Sequence, residues 1–143
     1  MNIDALFSAA STMALAGWAA LILLPRWPRL VFALRFGLIG LLSVAYAVLI
    51  FLFFFKADGG GFNSITQVRA LFADDGALLA GWIHYLAFDL FVGIWIARRA
   101  DEAGLGRLLQ APILLATFMF GPIGLLLYYA SSLAPVFALP RKG

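Results

Sequence analysis

The chain has 143 residues, 64% of them hydrophobic and only 12% charged. Soluble domains carry about 45–50% apolar and roughly 25% charged residues, and a globule of this size cannot hide such an excess from water, so the composition calls for a bilayer as solvent. Ten Lys and Arg against seven Asp and Glu leave a net charge of +3, but the basic residues flank apolar runs instead of forming a polar face, which excludes nucleic acid and points to lipid headgroups.

The absence of cysteine excludes disulfides, thiolate metal sites and iron–sulfur clusters. The single histidine, His84, cannot build a multi-histidine metal or haem site within one subunit. No cofactor and no metal are expected.

No Lys or Arg precedes the first apolar stretch, which is long enough to span, so it reads as a helix of the mature chain and not as a cleaved signal. A spanning helix needs about 20 apolar residues. The first expected span covers residues 5–24. It stops at Pro25-Arg26-Trp27-Pro28-Arg29, where two prolines break the helix and Trp27 suits the interface. The second covers residues 30–55, and its Phe-Leu-Phe-Phe-Phe run at 51–55 faces lipid or packs against a neighbour. In the connection that follows, Gly59-Gly60-Gly61 reads as flexible. Asn63 or Ser64 then caps a short amphipathic helix carrying Ile65, Val68, Leu71 and Phe72, which lies on the membrane surface or roofs the bundle. The third span covers residues 77–97, and Asp101 and Glu102 after it solvate the turn or pair with Arg98 and Arg99. The fourth covers residues 111–129. The expected fold is therefore one all-α integral membrane domain over residues 1–143, a bundle of four transmembrane helices with a short amphipathic helix in the second connection.

Arg26, Arg29, Arg98, Arg99 and Arg107 fall on one side of such a bundle, and Lys56, Arg69, Arg141 and Lys142 on the other. The positive-inside rule puts the first set in the cytoplasm and both termini outside it.

Ionisable groups within spans are costly and mark sites, and Arg35, His84 and Asp89 are such groups. Counted from the cytoplasmic ends at 1.5 Å per residue, Arg35 lies roughly 8 Å deep, Asp89 roughly 12 Å and His84 roughly 20 Å. Ser11, Thr12, Gly17, Tyr46 and Gly121-Pro122-Ile123-Gly124 reach similar depths, giving a polar belt near the midplane. His84 and Asp89 stand about 140° apart on a helix, so they cannot face one partner helix; they flank a wide cavity or touch different neighbours. Asp89 shares a stripe with Tyr85 and Gly93, and His84 with Phe88 and Phe91. Arg35 either pairs with Asp89 or snorkels to the headgroups. His84 is either an interhelical hydrogen-bond partner or a site residue, and Gly121-Pro122 is either a kink or a lining element.

The segment Trp82-Ile83-His84-Tyr85-Leu86-Ala87-Phe88-Asp89-Leu90-Phe91 resembles the Trp-x-His-x-Leu-x-x-Asp-Leu-Phe core of the abscisic-acid-deficient-four-like family, small four-helix membrane proteins of plants, algae and bacteria. Pro112, Thr117 and Phe120-Gly121-Pro122-Ile123-Gly124 are similar to its second signature, aromatic-x-Pro-x-Gly. The match covers most of residues 64–129. Where plant members often continue with Ala-Ala-Arg, this chain has Val92-Gly93-Ile94. Plant members are associated with neoxanthin synthesis, in which the epoxide violaxanthin becomes an allenic xanthophyll. The lack of a transit peptide suggests a bacterial chain and a bacterial inner membrane. The resemblance implies a carotenoid or xanthophyll ligand and a cofactor-independent isomerisation, with an acid at the epoxide oxygen and a base at carbon. His84, Asp89 and Arg35 become the catalytic candidates, and Trp82, Tyr85, Phe88, Phe91, Thr117, Gly121 and Pro122 the substrate-binding ones. The alternatives are a non-catalytic pigment-binding or assembly subunit, as a homo-oligomer or within a pigment–protein complex, and, more remotely, a transporter.

Overall fold

A computed structural model of the chain describes residues 2–56 and 58–133. These residues form helices and short connections, with no strand among them. Helix α1 (Ile3–Leu23) begins at Asn2, whose side chain caps the Ala5 N–H at 3.0 Å. After the two-proline turn, α2 (Pro28–Lys56) starts with Pro28 in the first turn, where the missing N–H costs nothing. Helix α3 (Ile65–Leu71) is the expected short helix, and of its two candidate caps Ser64 is the one used, accepting from the Gln67 N–H at 3.2 Å. Helix α4 (Asp75–Glu102) is capped by Asp74 through the Ala77 N–H at 2.9 Å. Helices α1, α2 and α4 are long and apolar enough to cross a membrane.

The fourth apolar segment departs from the expectation. It is two helices, α5 (Arg107–Phe120) and α6 (Pro122–Leu133), separated by Gly121 at φ +47°. Their 14 and 12 residues span about 21 and 18 Å at the α-helical rise, each less than a hydrocarbon core of about 30 Å. Nor do they run on in one direction. The space a Cβ on Gly124 would need is filled by the Thr117 backbone, and residues seven apart touch in this way only if the chain doubles back. The ring of Phe118 on α5 packs on Trp18 at 5.6 Å, and Tyr128 on α6 packs on Trp95 at 5.3 Å. Leu125 and Tyr128 thus join the same half of the core as Ile113 and Leu114. In place of a fourth spanning helix over 111–129 the structure has a helical hairpin whose two arms lie beside the C-terminal half of α4. The cause is local. Gly121 accepts a backbone conformation that L side chains resist, Pro122 can start a helix but not continue one, and Gly124 lets the arms touch.

The hairpin divides the molecule. Near the α3 end, the core is built from Ala10, Ala14, Leu42, Leu49, Leu79, Ala80, Ile83, Leu86 and Ala87, all on α1, α2 and α4. At the opposite, arginine-rich end, Trp18, Leu21, Leu34, Leu90, Ile94, Ile96, Ala97, Ile113 and Leu114 form a second core to which α5 and α6 contribute. Gly93 admits the Trp18 ring where any Cβ would collide with it.

Arg26 ties the arginine end together. Its Nε donates to the Leu21 carbonyl at 3.0 Å, and its Nη1 donates to Asp101 Oδ1 at 2.7 Å, Gln110 Oε1 at 2.6 Å and the Ala97 carbonyl at 3.4 Å. Gln110, fully buried, donates to Asp101 Oδ1 at 2.8 Å and the Leu105 carbonyl at 2.7 Å. One guanidinium thereby joins the α1 terminus, the α4 terminus and the start of α5. Asp101 therefore pairs with Arg26 and not with Arg98 or Arg99; Glu102 takes those two, at 4.0 and 3.3 Å. Arg26→Ala is expected to cost about 3 kcal/mol, the lower part of the range for breaking a buried pair, because the Asp101 side chain remains 40% exposed. Unfolding of the purified variant in detergent micelles measures this, and Arg26→Lys, lacking the forked donors, should restore less than half of the loss.

Candidate functional site

The Tyr85 hydroxyl donates to the carbonyls of Phe118 and Met119, both at 3.3 Å. These carbonyls lie in the last turn of α5, where a helix leaves its acceptors without intrahelical partners. One turn along α4 from Tyr85, Asp89 lies against the hairpin tip. A Cβ built on Gly121 would stand 2.7 Å from Asp89 Oδ1 and 3.0 Å from Oδ2, so only glycine lets the backbone reach the carboxyl group. Asp89 Oδ2 is buried and has no hydrogen-bond partner among the described residues. An unsatisfied carboxyl oxygen in an apolar interior costs several kcal/mol unless something completes it.

Trp82 extends the same face. Its indole stacks on Tyr85 at 5.4 Å, meets Phe7 at 5.6 Å and donates to the Ser11 hydroxyl at 3.0 Å. The hairpin stops below this level, so the groove between α1 and α4 is left open, with a cleft of about 440 Å³ lined by Ile3, Asp4, Phe7, Asp75, Leu78, Leu79 and Trp82. Met119 and Phe120 stand exposed at the hairpin tip.

His84 points elsewhere. Its ring stacks on Phe88 at 4.5 Å and meets Tyr46 of α2 at 5.4 Å, on an exposed face. His84 and Asp89 touch different neighbours, one of the two arrangements their spacing allows. Arg35 forms no ion pair with Asp89 among the described residues. Its guanidinium lies 5.9 Å from the Phe36 ring and 6.0 Å from the Phe91 ring and lines a cleft with Arg98. Thr117 is fully buried, and its hydroxyl donates back to the Ile113 carbonyl at 2.8 Å. It packs the hairpin and does not line the groove. Of the sequence candidates the structure brings together Trp82, Tyr85, Asp89, Gly121 and Pro122, and sets His84, Phe88 and Phe91 on another face of α4.

Ser11 belongs to the polar belt expected from the sequence, whereas little in the sequence singles out Phe7, since phenylalanines occur throughout the apolar runs. The carbonyls of Phe118 and Met119 leave no trace in side-chain identity.

The pattern of the ABA4-like (ABA DEFICIENT 4-like) family matches residues 5–128, from the first turn of α1 to about the middle of α6. The chain belongs to this family. No curated protein and no solved structure matches it. The match extends well beyond the segments that carry the motifs, and in this ABA4-like chain the two motif segments meet where Asp89 touches Gly121.

Gly121→Ala adds both a collision with Asp89 and strain at φ +47°, and is expected to cost about 1–3 kcal/mol. A double-mutant cycle with Asp89→Ala separates the two. Removal of the carboxyl group should relieve the collision but not the strain, giving a coupling energy of at least about 0.5 kcal/mol.

Proposed function

We propose that this ABA4-like membrane protein binds a long apolar polyene, a carotenoid or xanthophyll, along the aromatic face of α4, and that Asp89 and His84 divide the acid and base tasks of an isomerisation. The observation that carries this reading is Asp89, whose buried Oδ2 lacks a partner among the described residues, one helical turn from Tyr85, which stacks on Trp82 at the edge of an open cleft. Family membership supports the substrate class.

In such a reaction a proton leaves carbon, the ring C–O bond of an epoxide breaks, and its oxygen takes up a proton. The formula is unchanged, and no electrons are supplied or removed. Asp89 suits one proton transfer because its carboxyl group is held in place by the hairpin. His84 suits the other because its ring is open to a ligand lying across α4. Arg35 stands apart, among the arginines of the far end. Trp82 and Tyr85 offer flat apolar surface along which a polyene packs, and Phe88 offers more beside His84 on the neighbouring face.

A non-catalytic pigment-binding subunit is the second reading. It is favoured by the different faces occupied by His84 and Asp89.

For the membrane arrangement we propose three crossings, by α1, α2 and α4, and a hairpin of α5 and α6 that enters and leaves on the arginine side. Among the described residues Arg26, Arg29, Arg98, Arg99 and Arg107 gather on that side, against Lys56 and Arg69 on the other, which favours a cytoplasmic arginine end. Ser132 then lies on the cytoplasmic side, unlike the expectation of two outside termini, while Arg141 and Lys142 lie outside the described residues.

Two measurements test these proposals. Pigments are compared in strains carrying no copy, the wild-type chain, Asp89→Asn or His84→Ala. The enzyme reading expects a carotenoid species to appear only with the wild type, and folded variants with full conversion contradict it. Stoichiometric retention of unchanged pigment instead supports the binding reading. Because the chain has no cysteine, single cysteines report topology directly. Gly104→Cys and Ser132→Cys should react with an impermeant maleimide from the same side, and Asn63→Cys from the other. Opposite labelling of 104 and 132 would restore a fourth crossing.

A further inference from the structure

At the arginine end α2 and α4 part to leave two adjoining clefts. One, of about 310 Å³, is lined by Arg35, Phe91, Ile94, Trp95, Arg98, Arg99 and Glu102. The other, of about 420 Å³, shares Arg35, Arg98 and Glu102 with it and extends to Phe32 and Phe36. Arg26 at its margin is already neutralised by Asp101. Three further arginines, Arg35, Arg98 and Arg99, then face a single carboxylate, Glu102, which lies 4.0 Å from Arg98 and 3.3 Å from Arg99. Arg35 has neither an ion pair nor a side-chain hydrogen bond among the described residues, and the Phe36 and Phe91 rings lie about 6 Å from it.

The backbone marks the same place. Residues Ala33–Ile39 form a π-helical segment within α2, and Arg35 lies inside it. Such segments are rare, carry strained hydrogen bonding and concentrate at functional sites. Phe32, Phe36 and Phe91 around the mouth are exposed. The clefts are therefore basic within and apolar at the rim, and they lie between α2 and α4 at the arginine-rich end.

We propose that these joined clefts bind one anionic phospholipid. Its phosphate sits between Arg35 and Arg98, and its acyl chains run along Phe32, Phe36 and Phe91. Guanidinium groups match phosphate oxygens with paired, charge-assisted hydrogen bonds, and basic recesses between helices on the cytoplasmic side are where anionic headgroups are held. A soluble phosphate would gain the charge contacts but leave the aromatic rim bare, so the rim selects a lipid. The site is separate from the Asp89 groove and does not depend on the carotenoid reading.

The test uses the purified full chain in detergent, titrated with phosphatidylglycerol, phosphatidylcholine or inorganic phosphate. Native mass spectrometry reads bound lipid, and the unfolding midpoint is followed alongside. Phosphatidylglycerol should be retained and raise the midpoint, while phosphatidylcholine and inorganic phosphate do neither. Arg35→Gln with Arg98→Gln should weaken phosphatidylglycerol retention by about tenfold or more, the loss expected from removing charge-assisted bonds. Glu102→Gln removes the competing carboxylate from an exposed position, so it should fold normally and bind the lipid more tightly. Equal retention of the two lipids, an equal shift with inorganic phosphate, or unchanged binding in Glu102→Gln would each overturn the proposal.

Discussion

Where α5 stops at Phe120, its last backbone carbonyls lose their helical donors. The Tyr85 hydroxyl supplies a donor to two of them, at Phe118 and Met119. That contact allows the chain to turn at Gly121 in mid-bundle. The turn in turn decides which part of α4 is covered and which stays open. Residues from Leu90 towards the α4 C-terminus pack under both hairpin arms, Tyr85 meets the hairpin tip, and Trp82 lines the open cleft between α1 and α4.

The hairpin also gives Asp89 its setting. A carboxyl group beside a helix would ordinarily be solvated or paired. Here glycine at position 121 brings bare backbone against it, and one oxygen is shut away without a partner. A buried polar atom left in that state marks a place where a ligand's donor or acceptor is missing. Structural economy and site geometry have one cause.

Charge is distributed by the same division. Arg26 is consumed by Asp101 and Gln110 in fastening the helix ends. Once Asp101 is taken, only Glu102 remains to offset Arg35, Arg98 and Arg99, and a surplus of positive charge faces sideways between α2 and α4. The fastening of the fold and the surplus that suits an anionic headgroup follow from a single choice of partner.

The sequence by itself determined the helical class, the three long apolar helices and a short helix capped at Asn63 or Ser64, because span length and capping chemistry are written locally. It also determined that His84 and Asp89 diverge, since helical rotation follows from their spacing alone. Only the tertiary structure decided that residues 107–133 fold back on themselves. Hydropathy counts apolar residues but carries no direction, so a straight helix and a broken one score alike, and the cue was two glycines and a proline whose effect depends on what they pack against. It likewise assigned Asp101 to Arg26 across 75 positions and left Arg35 away from Asp89. Which charges pair depends on which helix ends converge, and that is settled by packing and not by neighbours in the chain.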